Sequence, residues 1–222
     1  ASNRIIIYLL IGSSALPFVL YAGLFESTWL TVKTIRIGAA PSHRIVHFSD
    51  THYKGNKAYL TRVIDSINSL KSDYVCFTGD IVEDTKYLDE ALGFIKQIRV
   101  PVFGVPGNHE YWSHAPFPRI KEAFESTGGD WLVDRSARRG DCEFIGVNAG
   151  SVKGKNAQAN GSAKKIFLTH YPADAHDLPS NSVDLILAGH SHGGQIRLPF
   201  IGAVIVPYGV DKWDRGYFQT PA

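Results

Sequence analysis

The residues with the most chemistry per position are Gly189-His190-Ser191-His192-Gly193-Gly194-Gln195, directly after the apolar run Val183–Ala188. Alternate side chains of an extended segment point to one side, so two imidazoles one residue apart can address one location. The glycines let the backbone leave a strand sharply and approach a ligand closely. Alone, such a pair is as compatible with a structural role as with a catalytic one. Four further stretches change that balance: Asp50-Thr51-His52, Gly79-Asp80, Gly107-Asn108-His109-Glu110 and His170. Carboxylate, imidazole and amide oxygen together, without thiolate, suit zinc, manganese or iron at a hydrolytic centre better than a structural zinc.

Short apolar runs must carry these residues. Arg44–Ser49 leads to Asp50, Asp73–Thr78 to Asp80, Val100–Val105 to Asn108, and Lys165–His170 ends on His170. Helical stripes alternate with them. Ala58–Leu70 repeats Leu60, Val63, Ile64 and Ile67; Tyr87–Ile98 repeats Leu88, Ala91, Leu92 and Ile95; Pro118–Ser126 turns Ile120, Ala123 and Phe124 inward. This order predicts a layered α/β domain with its site beyond the carboxyl ends of the strands. Thr31–Ile37 predicts an edge strand. Trp131–Asp134, Cys142–Val147, Gln195–Leu198 and Ala203–Val206 predict further short strands, hence two packed sheets with helices outside. Asn148–Lys164 has no periodicity and reads as a loop.

In this order the motifs resemble those of the calcineurin-like metallophosphoesterases, from about Ile35 to Tyr217. The resemblance implies an α/β fold, a four-layer α/β/β/α sandwich, and two divalent ions, with manganese expected and iron or zinc as alternatives. Asp50, His52, Asp80 and His192 would hold one ion; Asp80 would bridge to a second held by Asn108, His170 and His190. Two such ions, about 3.5–4 Å apart, acidify a water and clamp the phosphoryl oxygens. His109 would face the substrate, stabilising the transition state or protonating the leaving oxygen. Asp84 would either orient a ligand or cap a helix, and His114 could line the substrate pocket. Gly193–Gly202, with Arg197 as a candidate substrate contact, resembles the carboxyl-terminal block of a membrane-associated bacterial branch. The UDP-2,3-diacylglucosamine pyrophosphatases of lipid A biosynthesis are similar in layout. They imply a lipid-linked nucleotide substrate, cleaved to 2,3-diacylglucosamine 1-phosphate and UMP. The alternatives are a broad-specificity phosphodiesterase or phosphomonoesterase of the cell envelope and an inactive metal-binding scaffold, the last opposed by the intact His109 and ligand set.

The 222 residues, 44% hydrophobic and 20% charged, describe a globular chain. A net charge of +2 without any Lys/Arg block argues against a nucleic-acid partner, and no protein partner is implied. Cys76 and Cys142 read as isolated thiols rather than a disulfide framework. Arg135, Arg138 and Arg139 read as a solvated loop. Ile5–Phe25 is almost wholly apolar, about the length that crosses a ~30 Å hydrocarbon layer. Gly12 and Pro17 are tolerated in such a helix, and Tyr21, Phe25 and Trp29 could form its interfacial belt. A membrane anchor over residues 1–30, preceding a phosphoesterase domain over 31–222, is therefore expected; a signal peptide or a packed helix are the alternatives. The expected location is the bacterial inner membrane with the catalytic domain in the cytoplasm, where the lipid-linked nucleotide is made. An outward-facing envelope domain is the alternative. Deleting Ala1–Leu30 is expected to move the protein from the membrane to the soluble fraction on ultracentrifugation. A full-length chain that never sediments with membranes refutes the anchor.

Overall fold

The computed structural model describes residues 28–149, 163–194, 196–198 and 201–222, with 196–198 as backbone alone. The chain divides into two units, Ala1–Arg36 and Ile37–Ala222, and every element named below lies in the second. Among the described residues no helix is long and apolar enough to cross a membrane; Ile5–Phe25 lies outside them. The strand expected at Thr31–Ile37 is absent, and those residues are exposed. Alternation records a face that could be buried, and a strand forms only where a neighbouring edge supplies hydrogen bonds.

The first sheet is wholly parallel, in the order β1 (Ile45–Phe48), β2 (Tyr74–Phe77), β3 (Val102–Gly104), β4 (Asp130–Trp131). Parallel neighbours require crossovers, supplied by α1 (Lys57–Ser69), α2 (Leu88–Ile95) and, after the short α3 (Asn108–Trp112), α4 (Phe117–Glu125). The Asn56 side chain caps α1 by accepting the Tyr59 N–H at 3.1 Å. The predicted stripes are the buried ones: Leu60, Val63, Ile64 and Ile67 on α1, Leu88, Ala91, Leu92 and Ile95 on α2. Phe124 of α4 packs on Phe77 and Trp131, with ring centres 6.1 and 4.8 Å away.

The second sheet runs β5 (Arg135–Arg139), β6 (Cys142–Gly146), β7 (Lys164–Thr169), β8 (Leu185–Ala188), antiparallel only between β5 and β6. Sequence reading missed β5. It is an edge strand in which only Ala137 packs on the core, while its arginines face water and blunt the edge. Arg135 pairs with Asp130. Between the sheets lie Cys76, Phe103 and Val105 of the first half and Cys142, Phe144, Ile166 and Leu168 of the second. The Phe103 and Phe144 rings stack at 3.8 Å. Both cysteines are free thiols in this core.

The outer face of the second sheet carries no α-helix among the described residues. Among the described residues, a 3₁₀ stretch (Pro172–Asp177) follows β7, and Val147, Phe167 and Leu178 pack with Val183, Ile186 and the terminal Ala222. The crossover from β7 to β8 carries Pro172 and Pro179, which bracket a segment too short for a long helix. Beyond β8, β9 (Ile196–Leu198) and β10 (Gly202–Ile205) form an antiparallel hairpin separate from both sheets, with Ile201, Val204 and Ile205 exposed.

The inter-sheet core sets the distance between the two sets of strand ends. Phe144→Ala is expected to cost about 3–5 kcal/mol of unfolding free energy in urea titration; a loss below about 1 kcal/mol would show that the ring stack does not hold the sheets.

Candidate metal centre

The carboxyl ends of β1, β2, β3, β7 and β8 converge, and backbone hydrogen bonds fix their loops. The Asp50 N–H donates to Gly79 O at 2.9 Å and the His52 N–H to Asp80 O at 3.1 Å, so the loops after β1 and β2 run side by side. Two bonds fasten the second sheet to the first. His170 Nδ1 donates to Thr78 O at 2.7 Å, and the His190 N–H meets the Asp50 carboxylate at 3.0 and 3.1 Å. Two glycines make this approach possible. A Cβ on Gly189 would lie 2.1 Å from Ser49 Oγ and 2.8 Å from Asp50 Oδ2; one on Gly79, at φ +97°, would lie 2.4 Å from the Gly107 nitrogen.

Five of the seven expected ligands have left-handed backbones: Asp50, His52, Asp80, His190 and His192, with φ from 38° to 65°. Each costs about 1–2 kcal/mol for a residue with a Cβ, and the surrounding hydrogen bonds over-determine the turns.

The donor atoms fall into overlapping groups, each within 4.8 Å. Asp50, His52 and His192 form one, Asp80, His170 and His190 another, and His52, Asp80 and His109 a third. Asp80 stands between the first two. Its Oδ2 is 3.4 Å from His52 Nε2 and 3.4 Å from His170 Nε2, and the residue is 1% exposed. Asn108 Oδ1 is 2.9 Å from His170 Nε2, completing the second set.

Proton accounting shows that this arrangement fits cations. His170 gives its Nδ1 proton to Thr78 O, so in the neutral ring Nε2 presents a lone pair to Asn108 Oδ1, Asp80 Oδ2 and, at 3.0 Å, His190 Nδ1. His52 likewise donates Nδ1–H to Glu83 Oε2 at 2.7 Å, leaving Nε2 buried without a hydrogen-bond partner. Lone pairs converging on carboxylate and amide oxygens repel unless a positive charge lies among them.

Asp80 and His170 also attract one another as ions. Burial would raise the Asp80 pKa and lower that of His170, but Asp80 draws His170 above the ordinary imidazole value, and His170 with the His109 N–H, 2.9 Å from Oδ1, holds Asp80 below the usual carboxylate range. Burial lowers His190 and His109 below the ordinary imidazole value, His170 adding to the effect on His190.

Two carboxylates escaped the sequence reading. Glu83 Oε2 lies between His52 Nδ1 (2.7 Å) and His109 Nδ1 (3.0 Å), with Lys54 Nζ 3.5 Å from its other oxygen. Burial raises its pKa, but the hydrogen bond from His52 together with the charges of His109, His52 and Lys54 more than reverses that, so it stays ionised. Glu110 is buried and accepts three backbone N–H groups: Ile81 at 2.7 Å, Asp80 at 2.9 Å and Gly107 at 2.7 Å. It locks the loop after β2 against the loop after β3, although burial pushes its own pKa up.

Of the two roles open to Asp84, the structure shows the cap. The residue is exposed, accepts the Lys86 N–H at 2.9 Å and pairs with Lys86 Nζ at 3.2 Å. Residues 80 and 84 share a side only in an unbroken strand, and the positive φ at Asp80 ends that alternation. His114 is exposed in a left-handed turn after α3, outside every donor group among the described residues. Arg197 lies on β9, paired in register with Ala203; its side chain is not described. His109 and Trp112 share a face of α3, and the rings His192, His52, His109 and Trp112 form a row with centres 5.0, 4.5 and 4.9 Å apart.

Comparison with known proteins agrees with this geometry. The model of the calcineurin-like phosphoesterase family matches residues 43–194. The chain is 28% identical over 218 residues to the uncharacterized metallophosphoesterase YkuE of Bacillus subtilis, covering 89% of this chain and 75% of that one. It is 25% identical over 216 residues to the UDP-2,3-diacylglucosamine pyrophosphatase LpxG of Chlamydia trachomatis, covering 71% and 65%. It is 26% identical over 208 residues to the phosphodiesterase YaeI of Escherichia coli, covering 83% and 73%.

Glu83→Gln is expected to lower turnover of bis-p-nitrophenyl phosphate about 10–100-fold, as loss of an outer hydrogen-bond partner does, whereas Asp84→Ala stays within about twofold of wild type. The reverse order in steady-state assays would return the orienting role to Asp84.

Proposed function

Because the chain belongs to the calcineurin-like phosphoesterase family, whose members are metal-dependent hydrolases of phosphoester bonds, we propose that this centre cleaves the pyrophosphate of a lipid-linked nucleotide. The substrate is of the UDP-2,3-diacylglucosamine class, and the products are 2,3-diacylglucosamine 1-phosphate and UMP. The observation that carries a two-ion reading is the buried Asp80 carboxylate shared by two sets of donors. Asp50, His52 and His192 would hold one ion and Asn108, His170 and His190 the other, with Asp80 common to both. The expected metal is manganese, with iron or zinc accepting the same donors. When bound, the pair neutralises phosphoryl charge and acidifies a water.

The chain's own residues supply the rest. Glu83 Oε2 stands 3.0 Å from His109 Nδ1 as an ion-pair partner, its charge favouring the protonated ring against burial, and Nε2 is left to hold a proton at the departing oxygen. Glu110 keeps Asp80 and Asn108 in place by holding their loops together. Two features support a lipid-bearing substrate. One is the relationship to LpxG. The other is the hairpin that follows the His-x-His motif, with Gly194 pressed on Ala203 and with Ile201, Val204 and Ile205 open to solvent. A domain at the inner membrane with its site in the cytoplasm matches that substrate. The relationship to YaeI supports a broader phosphodiesterase as the second reading.

Manganese-loaded protein is expected to release UMP from UDP-2,3-diacylglucosamine, and His109→Ala to lower that rate by about 10²–10⁴-fold with metal content unchanged. Hydrolysis of bis-p-nitrophenyl phosphate without UMP release selects the second reading, and full activity of the His109 variant removes its assigned role.

A further inference from the structure

Trp112 stands out among the large aromatics. Trp131 and Phe124 are 2% and 0% exposed, whereas Trp112 is 70% exposed at the end of α3. So large an open apolar surface is unusual for tryptophan in a folded chain. Its position is not loose. It lies three residues from His109, hence on the same helical face, with ring centres 4.9 Å apart and planes at 55°. The helix beneath is held by Glu110 on the Gly107 N–H and by Tyr111, whose ring packs on Phe117 at 5.2 Å and whose hydroxyl meets Asn148 Oδ1. The indole is thus a fixed, open π-face one ring beyond the group assigned to the reacting phosphate.

We propose that Trp112 is a stacking platform for a planar heterocycle joined to the scissile phosphate through a sugar: the base of a nucleotide. One ring's width from His109 leaves room for the sugar between phosphate and base. Stacking on an aromatic face suits a base because every base presents a π-face. The exposed aliphatic residues Ile201, Val204 and Ile205 belong to the hairpin beside Gly194, which follows His192 at the other end of the ring row. An acyl chain has its complementary surface there, which leaves the planar part of the substrate to Trp112. The proposal rests on the reading that the centre binds a phosphoryl group and adds which end of the substrate lies over α3.

Isothermal titration of the full, manganese-loaded chain with UMP and with ribose 5-phosphate isolates the base. Wild type is expected to bind UMP about tenfold more tightly than ribose 5-phosphate. Trp112→Ala should bind the two equally, with its affinity for ribose 5-phosphate unchanged, and Trp112→Phe should keep part of the preference. The proposal is overturned if wild type shows no preference, if Trp112→Ala keeps it, or if that variant weakens both ligands alike, which would make Trp112 a support for His109. Binding of neither ligand overturns this proposal and the phosphoryl-site reading together. A Trp112-dependent preference without pyrophosphate hydrolysis leaves the platform standing and removes only the assigned reaction.

Discussion

A buried carboxylate at the junction of two sheets is the constraint around which this domain is arranged. Asp80 is almost wholly enclosed, and behind it lies a second enclosed carboxylate, Glu110. Removing one negative charge from water is costly unless it is paired and hydrogen-bonded, and two neighbouring charges compound the cost. The structure answers the two differently. Glu110 is satisfied by three backbone N–H groups, which tie it to the loops around it. Asp80 receives one N–H and otherwise faces Nε2 of two imidazoles. With both rings neutral those nitrogens turn lone pairs toward the carboxylate, and cations shared between the two sets of donors would resolve that meeting.

Everything that delivers those imidazoles comes from far away in the chain. His52 follows the first strand, His170 the third strand of the other sheet, and His190 and His192 its edge. The Phe103–Phe144 stack and the surrounding core set the spacing of the sheets, and hence the distance over which His170 and His190 reach. The positive-φ turns at Asp50, Asp80 and His190 are unfavourable locally and persist because bonds between the loops leave no alternative. Stability in the core and strain at the strand ends are therefore coupled.

The rim of the site is divided in character. On the side of His109 it offers a flat indole and, behind that, Glu83; beyond His192 it passes into an aliphatic hairpin. Such a division suits a substrate with one planar, polar end and one greasy end, the two being joined by the phosphates.

The sequence by itself determined the ligand types, their order and their places at the ends of apolar runs, because a strand-terminal motif is local: a few residues carry both the burial pattern and the chemistry. It also determined the helical stripes, which the structure buries as read. Tertiary structure alone decided which carboxylates serve the site. Glu83 and Asp84 are adjacent and chemically alike, and the choice between them follows from the backbone twist at Asp80 and from histidines at positions 52 and 109. Glu110 was visible only as part of a motif, since its partners are main-chain groups that carry no sequence signal. The same reason explains β5, whose polar residues form a strand because β6 supplies an edge, and Thr31–Ile37, whose alternating residues find none. Burial periodicity is written in neighbouring residues; hydrogen-bond partners, backbone handedness and the meeting of two sheets are settled by residues distant in the chain.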